Sequence, residues 1–113
     1  MSTKTELEKR VAKAKFIIEY NSHKSLRTDE LASEVAMSTF HFIRTFKEVY
    51  RMSPYQYVLK VRLRKACEML LQTPLKATEI ADISGFPDIQ SFCKTFRKNY
   101  GTTPVGYRKS LSA

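Results

Sequence analysis

The chain contains an internal repeat, and a repeat restricts architecture more firmly than any local propensity does. Glu30-Leu31-Ala32 recurs as Glu79-Ile80-Ala81, and the series Phe42, Phe46, Tyr50, Pro54, Tyr57 recurs as Phe92, Phe96, Tyr100, Pro104, Tyr107. The step is 49 residues from Leu31 to Ile80 and 50 from Pro54 to Pro104, so the second copy holds one extra residue, in the turn between Ala81 and Phe92. Each copy reads as a short helix, a tight turn and a longer helix. In the first, Leu31 and Val35 lie one helical turn apart, Met37-Ser38 interrupts, and Phe42, Phe46 and Val49 resume the inward stripe. In the second, Ile80 and Ile83 form the stripe, Gly85-Phe86-Pro87 stops the helix, and Asp88 is the expected cap of the next, as Ser38 is in the first. Small residues at Ala32, Ala36, Ala81 and Gly85 allow the paired helices to touch closely.

Between the copies, Ser53-Pro54 offers a cap and a first-turn proline, and no further breaker occurs before Thr73-Pro74. One helix is therefore expected over about 54–71, roughly 27 Å long, with Leu59, Leu63, Ala66 and Leu70 on its apolar stripe. The same start at Thr103-Pro104 opens a short last helix through Tyr107, ahead of a frayed basic tail. Upstream, Glu6 to Tyr20 reads as an amphipathic helix with Leu7, Val11, Ala14, Ile17 and Ile18 on one face. The expected fold is all-α and homeodomain-like. About seven helices form a single domain over 1–113: subunit one about 5–52, the linker helix about 54–71, and subunit two about 76–108.

Charge narrows the partners. Twenty Lys and Arg against eleven Asp and Glu leave a formal charge of +9, which draws in polyanions at modest salt. No apolar run approaches the ~18 residues needed to cross a bilayer, and Met1-Ser2-Thr3-Lys4 does not lead into a secretory signal, so no membrane association and a cytoplasmic location are expected. Cys67 and Cys93 lie far apart without clustered histidines, which points to no metal and no redox pair. His23 and His41 read as surface or phosphate-adjacent residues. No nucleophile-base set or paired carboxylates beside a glycine-rich loop occur, so no enzyme, no catalytic residue and no cofactor are expected.

The repeat also resembles a known family. Ile80-Ala81-Asp82-Ile83-Ser84-Gly85-Phe86-Pro87-Asp88, followed by Phe92, Phe96-Arg97-Lys98, Gly101, Thr103-Pro104 and Tyr107-Arg108, is similar to the DNA-binding domain of AraC/XylS transcription regulators. Leu31-Ala32, Met37-Ser38, Arg44, Phe46-Lys47, Met52-Ser53-Pro54 and Tyr57 extend the likeness across residues 6–108. Arg51 departs from the pattern, standing where such chains carry the glycine that Gly101 supplies in the second copy. The resemblance implies two helix-turn-helix units and a bacterial regulator, more often an activator, with double-stranded DNA as partner. It also implies RNA polymerase as a second candidate partner and a separate effector or dimerisation domain outside this chain.

With Phe42 and Phe92 inward, a rotation of about 100° per residue turns Phe40, Arg44 and Lys47 outward in the first copy and Gln90, Lys94 and Arg97 in the second. The resemblance points to Thr39, Phe40, Ile43 and Arg44, and to Ile89, Gln90, Cys93 and Lys94, as base-reading positions. Arg44 can grip guanine O6 and N7 with two bonds, Lys94 can reach the same atoms singly, and Gln90 can pair with adenine. Phe40, Ile43 and Ile89 can only press on thymine methyls, unless Phe40 and Ile89 tuck under their own helix starts as hydrophobic staples. Phosphate contacts are expected from Arg27, Thr28, Lys47, Arg51, Lys76, Thr78, Ser91, Arg97 and Lys98, several of them near helix starts where free amides favour anions. Two recognition helices on a stiff spacer would fit successive major grooves of one asymmetric site of about 17 to 20 base pairs. The alternative is a basic architectural or RNA-binding protein that uses charge alone.

Overall fold

The repeat pattern sets helix boundaries, and the computed structural model, which describes residues 3–111, shows seven helices and no strand among them. They are α1 (Lys4–Asn21), α2 (Thr28–Glu34), α3 (Thr39–Tyr50), α4 (Pro54–Gln72), α5 (Ala77–Ser84), α6 (Ile89–Tyr100) and α7 (Pro104–Leu111). Two compact units divide inside α4, between Lys60 and Val61. In the first, α1 packs on α2 and α3; in the second, α6 packs on α5 and α7.

The repetition runs deeper than the motif. α1 buries Val11, Ala14 and Ile18, and α4 buries Leu63, Ala66 and Leu70 at the same spacing. Both helices end alike: Asn21 Nδ2 donates to the Ile17 carbonyl at 2.9 Å, and Thr73 Oγ1 to the Met69 carbonyl at 2.6 Å. The front of α4 matches α7 instead, each opening on a capped proline turn, with Ser53 Oγ accepting from the Gln56 amide at 3.1 Å and Thr103 Oγ1 from the Gly106 amide at 3.0 Å. α4 thus closes the first unit and opens the second, which is why one unbroken helix suffices between the copies.

The tight turns are also twins. The Met37 amide donates to the Ala32 carbonyl and the Ala36 amide to Ser33, as Phe86 does to Ala81 and Gly85 to Asp82. This double closure is the Schellman arrangement, with buried Met37 and Phe86 folded back beneath the helix end. It requires a left-handed residue, supplied by Ala36 at φ 57° and by Gly85 at φ 98°. Ala36 was expected as a close-packing residue; it is exposed, and its small size serves the turn instead.

Three sequence expectations need correction. Val49 and Ile83, placed on the inward stripes, are 38% and 50% exposed. The repeat explains both: Val49 corresponds to exposed Asn99 and Ile83 to exposed Glu34, while Ser84 takes the buried slot of Val35. The Ser84 hydroxyl has no hydrogen-bond partner there. The C-terminal segment is not frayed after Tyr107, since α7 continues to Leu111. Arg108 anchors it by donating to the carbonyls of Leu70 at 2.9 Å, Thr73 at 3.0 Å and Leu75 at 2.6 Å. A guanidinium at the end of α4 satisfies the carbonyls that a helix C-terminus leaves open.

Candidate nucleic-acid interface

The outward face of α3 follows from what its inward face must do. Phe42 and Phe46 are fully buried and stack edge-on at 5.8 Å, which turns Phe40, Ile43, Arg44 and Lys47 to solvent. Ser38 Oγ accepts from the His41 amide, so the helix starts sharply and Thr39 and Phe40 form its exposed first turn. Phe40 is 77% exposed, which rules out the staple arrangement for this residue. Arg44 Nε lies 3.4 Å from Glu48 Oε1, one turn on. Both side chains are exposed, and such pairs are weak enough for Arg44 to be released to another acceptor at little cost.

α6 repeats this geometry with different chemistry. Phe92 and Phe96 are fully buried and 5.8 Å apart, leaving Gln90, Lys94, Arg97 and Lys98 exposed, with Ile89, Ser91 and Cys93 half-buried. Asp88 accepts from the Ser91 amide at 2.7 Å, and that bond, with one from the Ser91 hydroxyl, holds its carboxyl below the usual carboxylate range. Ser91, expected at a phosphate, is therefore already engaged with the cap. The face carries three cations and no carboxylate, whereas α3 carries Arg44 and Lys47 against Glu48.

The flanks also differ between units. Arg27, at the cap position of α2, donates from Nε and Nη2 to the two oxygens of Asp29 at 3.1 and 3.3 Å. A phosphate would have to draw Arg27 away from Asp29, beside a Thr28 that is half-buried. At the start of α5, Lys76 and Thr78 are exposed, and Lys76 makes no side-chain cap bond. Arg51, exposed, adopts the left-handed conformation at φ 64° that Gly101 adopts at φ 76°. A side chain there costs roughly 1 kcal/mol relative to glycine.

Behind α3 and α6 stands an aromatic support that sequence reasoning placed only in part. Phe46 meets Tyr50 at 4.8 Å and Tyr57 at 6.0 Å; Phe96 meets Tyr100 at 4.5 Å and Tyr107 at 5.5 Å. In the first unit Lys15 lies over the Tyr50 and Tyr57 rings at 5.3 and 5.7 Å, and Tyr57 donates to Glu19. In the second, Cys67 takes the place of Lys15, and burial, with a hydrogen bond involving Cys67, pushes the Tyr100 hydroxyl up to about 12. The repeated tyrosines were the signal; their helix partners could be found only by aligning α1 with α4. Among the described residues, no group of three or more potential metal ligands occurs, and no helix is long and apolar enough to cross a membrane.

Known proteins share this arrangement. A family model described as a helix-turn-helix domain matches residues 31–110. The HTH-type transcriptional regulator ArgR of Pseudomonas aeruginosa is 34% identical over 95 residues, 84% of this chain and 29% of that protein. The chain spans about a third of the length of the curated relatives it matches. A transcriptional regulator of Chromobacterium violaceum, described as containing an AraC-type DNA-binding domain, superposes with a TM-score of 0.84 at 29% identity, covering 90% of this chain and 91% of its own. The DNA-binding domain of AdpA, solved with a target DNA, gives a TM-score of 0.85 over 88% of this chain and 90% of its own; at 24% identity it shows the same fold.

Proposed function

The chain belongs to the AraC-type helix-turn-helix family of transcription regulators, and from that premise we propose that it is the DNA-binding part of a sequence-specific regulator, reading an asymmetric duplex site through α3 and α6. The observation that carries this reading is the pair of capped, equivalently built helices whose outward faces differ residue by residue: Phe40, Ile43, Arg44 and Lys47 against Gln90, half-buried Cys93, Lys94 and Arg97. Thr39, Phe40, Ile43 and Arg44, then Ile89, Gln90, Cys93 and Lys94, meet base edges. Lys47, Arg51, Lys76, Thr78, Arg97 and Lys98 meet phosphate, joined by Arg27 and Thr28 once Asp29 lets go and by Ser91 once Asp88 lets go. The first turn of each helix is where base contacts concentrate in helix-turn-helix docking, and later cations reach the backbone.

In this reading the chain has no catalytic role and works in the cytoplasm, where a bacterial chromosome lies. It activates transcription beside a promoter, in reach of RNA polymerase, and acts together with a separate effector or dimerisation domain. The test is competition binding. Sequences selected from a random duplex pool should resist displacement by bulk random duplex by a factor of about a thousand or more, with affinity falling steeply in salt. Displacement equally well by any duplex would replace this reading with the architectural one, in which charge alone binds.

A further inference from the structure

The face of α1 opposite its core carries residues that nothing in the fold uses. Val11, Ala14 and Ile18 are fully buried. At about 100° per residue, Lys9, Lys13, Phe16 and Tyr20 lie within an arc of about 60° on the opposite side of the helix, a ridge roughly 16 Å long. Phe16 and Tyr20 are 57% and 66% exposed, and their rings lie against each other with centroids 4.4 Å apart. Two large aromatics paired in solvent leave apolar area uncovered, which a folded chain gains nothing by displaying. Lys9 and Lys13 are exposed and, among the described residues, have no carboxylate within ion-pair distance, whereas their neighbours Arg10 and Lys15 pair with Glu6 at 3.1 Å and Glu19 at 3.7 Å.

The second unit provides an internal control. On α4, the positions that match Phe16 and Tyr20 by the shared buried spacing are Glu68 and Gln72, both exposed and polar. A helix in this structural role therefore needs no aromatic ridge, and the pair on α1 serves something other than the unit's own packing.

We propose that this ridge is a docking surface for an acidic amphipathic segment of a partner protein, whose apolar side chains cover Phe16 and Tyr20 and whose carboxylates pair with Lys9 and Lys13. Charge complementarity selects the occupant: uncovered rings call for apolar side chains, and two unpaired ammonium groups one turn apart call for acidic ones. The inference is independent of DNA reading, because it uses neither α3 nor α6.

The test is an NMR titration of the whole chain with a designed helical peptide of about sixteen residues, bearing Asp and Glu on one face and Leu and Phe on the other. A control peptide keeps every carboxylate and replaces Leu and Phe by Ser. The proposal predicts saturable amide shifts centred on Lys9, Lys13, Phe16 and Tyr20, and at least tenfold weaker binding of the control peptide. It also predicts at least a tenfold loss for the Phe16→Ser/Tyr20→Ser chain and, separately, for the Lys9→Glu/Lys13→Glu chain. The aromatic variant should keep its affinity for duplex DNA. No saturable binding, equal binding of the control peptide, or shifts centred on other helices would overturn it. So would stronger occupation of the ridge by a single-stranded oligonucleotide, which would assign the surface to nucleic acid, or an equal loss of duplex affinity in the aromatic variant.

Discussion

The two units solve one folding problem with different chemistry at matching positions. The first places Ala36 and Arg51 at its two left-handed positions, where the second has Gly85 and Gly101. Lys15 lies over both tyrosines of the first unit, whereas Cys67 at the matching position hydrogen-bonds Tyr100 in the second; the first closes with buried Val58 where the second has Arg108 holding three carbonyls. On the outward face, α3 shows an aromatic ring and a paired arginine, and α6 shows three cations without an acid. The scaffold is thus set by shared buried residues, prolines and caps, while the positions around them differ between the units. That freedom lets one chain carry two helix faces of unlike chemistry.

The largest effect is expected for Arg108→Ala, which strips three carbonyls of a charged donor and should cost the second unit about 2 to 4 kcal/mol. Hydrogen exchange should then quicken in α5 to α7 while α1 to α3 stay protected; equal quickening in both would show that the units do not fold as separate bodies. Next, replacing thymine by uracil in the half-site assigned to α3 should weaken binding by about 1 kcal/mol through Phe40 and Ile43, and Phe40→Ala should shrink the difference. By contrast, Lys98→Ala should lower the slope of log affinity against log salt by about one, a change that Phe40→Ala should not produce.

Smaller effects concern the backbone and caps. Arg51→Gly should stabilise the first unit, and Gly101→Ala destabilise the second, each by roughly 1 kcal/mol in denaturant melts. Acid should separate the N-caps. The Ser91 amide and hydroxyl lower the Asp88 carboxyl, so its contribution is present above the ordinary carboxylate range and fades as pH falls through that range toward the depressed value. The advantage of the native chain over Asp88→Ala in thermal melts should shrink between pH about 6 and about 3. The difference between the native chain and Ser38→Ala should not, because Ser38 caps α3 with a hydroxyl.

The repeat made most of this legible in advance. Phe42, Phe46, Phe92 and Phe96 were read as inward from spacing, and their burial turns the neighbouring positions out. The caps at Ser38, Ser53, Asp88 and Thr103 were legible because a short polar side chain before a periodic stretch has one good use. Val49 and Ile83 were misplaced because spacing within one copy was trusted where comparison between copies was available. The Arg108 clamp and the Lys15 and Cys67 contacts were not legible, since each joins residues distant in sequence and leaves no periodic trace.

Whether two unlike helix faces read one asymmetric sequence is decided by selecting bound sequences from a random duplex pool with the native chain and with Arg44→Ala and Lys94→Ala. The account predicts a site without two-fold symmetry. Each variant should lose about 1 to 3 kcal/mol on it and relax base preference in a different half, with little loss on random duplex. A palindromic site, or losses as large on random duplex as on the selected one, would contradict it.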